Sequence, residues 1–148
     1  MAIKTSKYTG GNGRKQLPSP YVAHVATTEI VEHVFTEAVA AADILELCYL
    51  PPNCRITDLR IQTVGTGAAT LTMGLMSGDV GSLSAARTIG TELFNAQATP
   101  TTVQAATLAN LAALMSSPMP RSIGVQFSAN VAANPVNKIM AIITYAST

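Results

Sequence analysis

The alternation of apolar and polar positions is clearest between residues 43 and 64, which read DILELCYLPPNCRITDLRIQTV. Leu59, Ile61 and Thr63 fall on one side of an extended chain, and Asp58, Arg60 and Gln62 on the other, as a strand buried on one face requires. A second β-rich run spans 44–50. Between the two, Pro51 and Pro52 fix φ and remove two backbone donors, so the chain must leave the sheet there. Ile56 breaks the alternation, which predicts a bulge or twist at the start of the 56–64 strand.

The same period of two recurs along the chain. Val31, His33 and Phe35 alternate with Ile30, Glu32 and Val34, which predicts a strand over 29–36; no capping box opens a helix there. A short strand is expected over 21–25. Ala69, Leu71, Met73 and Leu75 alternate with Thr70, Thr72 and Gly74. Further strands are expected over 87–94, 101–105 and 138–145, and around Ile123, Val125 and Phe127. On the last strand both faces are apolar, so both need covering by protein. Loops are read at 77–82, 95–100 and 129–137, and a helical turn over the Ala- and Leu-rich 108–115. Eight or more short strands separated by turns predict an all-β chain folded as an antiparallel β-sandwich.

Residues 1–20 differ in kind. Four of the nine basic residues, Lys4, Lys7, Arg14 and Lys15, lie there with none of the eight acids. The segment is too polar to bury and too Gly-rich for a helix, so it reads as an extended basic N-terminal arm ahead of one sandwich domain over 21–148. Gly10 to Lys15 lacks the spacing of a phosphate loop.

Composition narrows the function classes. The net charge is +1, and charged residues are only 11% of the chain, against about 25% in ordinary soluble domains. Such a surface is easily dehydrated and suits lateral contacts in an assembly. No apolar run is long enough to cross a bilayer, and the N-terminus has no signal-peptide pattern. The scattered acids, with Glu29 and Glu32 on opposite faces of a strand, form no catalytic pair. His24 and His33 stand outside any metal-ligand spacing, and Cys48 and Cys54 are expected as free, buried thiols. The single acid of the 77–82 loop is too little for a calcium site. Near-neutral charge and few aromatic residues argue against nucleic acid as a partner. No enzyme activity, cofactor or small-molecule substrate is expected.

Four segments recur in order: D-I-L-E-L-x-x-L-P-x-x-x-x-I-T-D at 43–58, G-x-G-A-A-T-L-T-M-G at 65–74, R-S-I-G-V-Q-F-S at 121–128 and K-I-M-A-I-I-T-Y-A at 138–146. Together they resemble the head decoration or cement proteins of tailed-phage virions, over residues 21–146. The resemblance implies a jelly-roll-like sandwich, with the region of 108–115 as a loop excursion that Pro118 and Pro120 end. It also implies many copies on the outer capsid surface of the virion, made in the host cytoplasm. The implied partners are the major capsid protein and further copies, as a dimer or trimer through strands such as 138–145. The residues expected to contact partners are Lys4, Lys7, Arg14 and Lys15. Two other readings stay open: a shell-forming jelly-roll coat protein with its arm turned toward nucleic acid, and a carbohydrate-binding sandwich.

Overall fold

In the computed structural model, residues 1–10, 25–67 and 69–147 are described. The chain is a two-layered β-sandwich. Its strands, in order, are β1 (Ile3–Thr5), β2 (Ala26–Val34), β3 (Ile44–Leu50), β4 (Cys54–Val64), β5 (Thr70–Leu75), β6 (Phe94–Ala98), β7 (Gln104–Ala105), β8 (Arg121–Phe127) and β9 (Lys138–Ser147), with one helical turn, α1 (Leu111–Leu114), before β8. One sheet runs β1-β3-β8-β5-β6 and the other β2-β9-β4-β7. From β2 onward every pairing is antiparallel. Successive strands change sheets at each connection except β5 to β6, and the order β2-β9-β4-β7 facing β3-β8-β5-β6 is that of a jelly roll.

The period of two explains the core. Val31 and Phe35 from β2 and its end, Leu59 and Ile61 from β4, and Ile139, Ala141, Ile143 and Tyr145 from β9 meet Leu45, Leu47, Leu71, Met73, Val125 and Phe127 of the other sheet, all buried. Edge-to-face contacts of Phe35 with His33 and Phe127 lock one end. The bulge expected near Ile56 lies between Ile56 and Asp58. Asn53 closes the Pro-Pro turn at φ +57, a conformation asparagine accepts more readily than most residues. Cys48 and Cys54 are free and buried. Burial and the neighbouring Glu46 push the Cys48 thiol far up, so it stays protonated.

Several expectations shift. The strand read over 87–94 lies instead at Phe94–Ala98, where a loop was expected, and only Ile89 makes an isolated bridge, to Met76. Arg87 is withdrawn from the surface by a buried ion pair, which draws residues 76–93 across the outer face of the five-stranded sheet. The 101–105 strand shrinks to β7, because the Thr63 N–H donates to the Pro100 carbonyl (2.7 Å) before the ladder resumes. The strand at 29–36 is β2, and the 21–25 strand lies almost wholly outside the described residues. The first ten residues, read as part of an arm, lie on the sandwich itself. β1 pairs in parallel with β3, Ser6 and Thr9 donate to β3 carbonyls, and Tyr8 is buried.

The ion pair joins Glu46 of β3 to Arg87, Oε1 to Nη2 at 2.7 Å, with both side chains almost fully buried. Arg87 also donates to Ser122 Oγ and to the Ser77 and Ser82 carbonyls. The Gly81 N–H completes the carboxylate's shell at 3.0 and 3.2 Å, with Gly81 at φ +79. Gly74 and Gly124 face each other across β5 and β8, and a side chain at Gly74 would run into the Gly90 backbone. Their bare backbones let the loop lie close. Outside the sheet, Ile3, Ile44, Met76 and Ile89 form a small second core.

Two outcomes follow. Arg87→Met leaves the Glu46 carboxylate buried and unpaired, so urea unfolding should show a loss of about 3–5 kcal/mol, while the double variant Glu46→Gln/Arg87→Met recovers much of it. His33 is held below its ordinary pKa by burial, against Glu37, which raises it, and with Lys7, which lowers it further; its Nε2 is buried without a partner among the described residues. The folded state thus favours neutral imidazole. The stability contributed by His33 is complete above about pH 6.5 and declines as pH falls through that ordinary value. In unfolding curves between pH 7 and 5, His33→Gln should have a shallower pH dependence than the parent chain; parallel curves would refute the assignment.

Candidate interaction surfaces

No three His, Cys, Asp or Glu side chains gather as metal ligands among the described residues. No described helix is long and apolar enough to cross a membrane. What the structure presents instead is contact surface.

The expected contact residues Lys4 and Lys7 lie on or just beyond β1, at the edge of the five-stranded sheet. Lys4 is paired with Glu37, Nζ to Oε2 at 3.2 Å, and Lys7 sits 5.4 Å from the Tyr8 ring centre. Exposed pairs of this kind are weak, so both charges stay available to an acidic neighbour. Lys7 also borders a hollow of about 280 Å³ of mixed character with Thr5, Glu32, His33, Val34 and Thr36. Arg14 and Lys15 lie outside the described residues.

The second surface is the outer face of β2-β9-β4-β7, which residue-level reading singled out only at β9. Register places Ile30, Ile142 and Arg60 in one row and Glu32, Met140 and Gln62 in the next. Ile30 is 67% exposed and Val103, beside β7, 58%. With Met140, Ile142 and Arg60 they line a shallow, mostly apolar hollow of about 150 Å³. Lys138 pairs with Glu32 at 3.3 Å, Arg60 with Asp58 at 3.0 Å, and the Thr28 and Thr144 hydroxyls with each other at 3.1 Å. A third patch comprises Leu111 and Met115, one helical turn apart on α1 and its end, with Met119 beyond; all three are exposed, while Leu114 anchors the turn in the core. Arg121 ties this segment to the body through the Ala113 and Cys54 carbonyls.

The central polar pair was missed in the sequence. Glu46 was one scattered acid and Arg87 the start of a strand. The available signal was a carboxylate inside the apolar run ILELCYL, which demands a counter-charge.

Neither a family model nor a curated protein matches this chain. Solved structures do. A chain of the cyanophage Pam1 capsid asymmetric unit is similar at TM-score 0.52 and 18% identity, covering 93% of this chain and 97% of that one, which shows a shared fold. A chain of the capsid of Ralstonia phage GP4 is similar at TM-score 0.85 and 29% identity, covering 99% of each chain, so the likeness extends from the core strands to the ends of both molecules.

Proposed function

We propose that this chain is a structural protein of a tailed-phage virion that decorates the outer capsid surface and cements adjacent capsomers against the pressure of packaged DNA. The observation that supports a virion structural role is the likeness to a chain of the GP4 capsid over 99% of both chains. Its partners are the major capsid protein and further copies of itself. The mechanism is adhesive: modest contacts repeated over a symmetric lattice add up to high avidity. A surface poor in charge dehydrates at low cost, and Lys4, Lys7, Arg14 and Lys15 supply the electrostatic part of the contact with an acidic shell surface.

The two other readings are less well supported. A coat protein with an inward arm needs many basic residues to neutralise a packaged genome, and the N-terminal segment carries only four. A carbohydrate module needs exposed aromatic platforms. Among the described Phe and Tyr residues, Tyr8, Tyr145, Phe35, Phe94 and Phe127 are buried and only Tyr49 is partly exposed.

Deleting the first residues would also remove β1 and the buried Tyr8, so substitution is the cleaner test. Full-length chain added to shells lacking it should bind at a fixed copy number. The variant Lys4→Gln/Lys7→Gln/Arg14→Gln/Lys15→Gln should bind roughly tenfold more weakly, at a few tenths of a kcal/mol per lost pair. Undiminished binding by the variant removes the role of these residues. Failure of the parent chain to bind, or its assembly into closed shells alone, overturns the decorating role.

A further inference from the structure

The two outer faces of the sandwich are treated differently by the chain. On the five-stranded sheet, Ile44, Glu46, Ser122 and Gly124 point outward and are nevertheless buried, because residues 76–93 form a roof over them. The equivalent face of β2-β9-β4-β7 has no roof among the described residues, and its central row carries Ile30, Ile142 and, one step on, Met140. We propose that a second copy of this chain covers this face, packed sheet to sheet about a two-fold axis through the Met140 and Ile142 centre. The inference rests on the self-association named above and gives it a surface and a geometry.

The arrangement of charge points to a copy rather than to an acidic or basic partner. Glu32 flanks Met140 on the β2 side, and Arg60 flanks Ile142 on the β4 side, so the two lie diagonally opposite about the apolar centre. A two-fold axis in the plane of the interface, inclined to the strands, brings Glu32 of each copy to Arg60 of the other. The contact then repeats twice around a dry middle, as an isologous interface with a polar rim requires. Lys138 and Asp58 balance the same two residues within the chain, which leaves the face neutral and without attraction for a uniformly charged surface. The Thr28 and Thr144 hydroxyls share one hydrogen bond, which lowers the cost of drying that end of the face.

The size of the face limits the contact it can make. Four strands spaced ~4.8 Å apart, with ~3.4 Å rise per residue along a nine-residue strand, offer on the order of 500 Å² to a flat partner. About 1,000 Å² in total is at the lower end for a specific interface. A dimer with a dissociation constant in the micromolar range is therefore expected, weak alone and reinforced wherever copies are held side by side.

Sedimentation equilibrium of the full-length chain from about 1 to 300 µM tests this. The parent chain should form a reversible dimer. Ile30→Glu and Ile142→Asp, each checked for retained fold by circular dichroism, should be monomeric throughout, a weakening of 100-fold or more. Ile30 is exposed enough that the first variant keeps the test valid should the second misfold. Glu32→Arg and Arg60→Glu should each weaken the dimer, and their combination should bind better than either alone, because the contact crosses between copies. A parent chain monomeric at 300 µM, a dimer that survives Ile30→Glu, or a double charge variant no better than the single ones overturns the proposal. Binding of the same variants to shells is measured separately, so loss of the dimer and loss of capsid attachment are told apart.

Discussion

A carboxylate buried in the middle of an apolar strand cannot be left alone, and Glu46 is such a carboxylate. The cost of burying an unpaired charge is several kcal/mol, and the chain meets it with Arg87, forty-one residues away, at 2.7 Å. That one pairing determines how the loop after β5 runs. It pulls residues 76–93 over the sheet, buries Met76 and Ile3 in a second small core, and makes glycine necessary at position 74 beneath the loop. An apolar pair of the same shape would hold the loop about as strongly. The ionic pair adds register, because only one placement satisfies Glu46, Ser122 and Gly81 together.

The consequence is an asymmetric molecule built on a symmetric plan. A jelly roll has two sheets with two outer faces, and either can be wetted or covered. Here the five-stranded sheet is closed on both sides at its centre, with β3 and β8 buried almost along their whole length, while β6 at its edge stays mostly exposed. The four-stranded sheet keeps its outward rows half open. Such a division suits the adhesive role proposed for this chain. A roofed face is rigid and supports the fold, while an open face whose polar groups are already paired can change neighbours at small cost in desolvation.

Much of this was legible in the residues, and the failures have physical causes. Strands with one wet face, β4, β5 and the end of β9, were read to within a residue or two, because alternation records the boundary between core and water. The bulge after Ile56 was legible for the same reason. The 87–94 strand failed because a local pattern cannot report that Arg87 has a partner in β3. The placement of residues 1–10 failed similarly: a polar, Lys-bearing segment looks solvated, yet Tyr8 and the hydroxyls of Ser6 and Thr9 find complements on β3 that exist only once the sheet has formed. Of the surfaces, residue-level reading found the basic N-terminus and the double-sided apolarity of β9. It missed Ile30 and Val103, since only the register of β2 on β9 and the hollow shared with Val103 bring them together with Ile142 and Met140.

The apolarity of β9 on both sides therefore has two different origins. Ile139, Ala141, Ile143 and Tyr145 serve the fold, and truncating any of them opens a cavity between the sheets. Met140 and Ile142 add little to the isolated domain, because nothing among the described residues packs over them as the roof packs over Gly124. A half-exposed isoleucine and methionine side by side in the middle of a sheet are a liability for a monomer, exposed to non-specific association. Flanking Met140 and Ile142 with Glu32 and Arg60 gives the patch a polar rim that rewards one orientation of a neighbour over others. The same alternation that lets a strand be read from sequence thus separates, along a single strand, the residues that hold the domain together from those proposed to join it to the next.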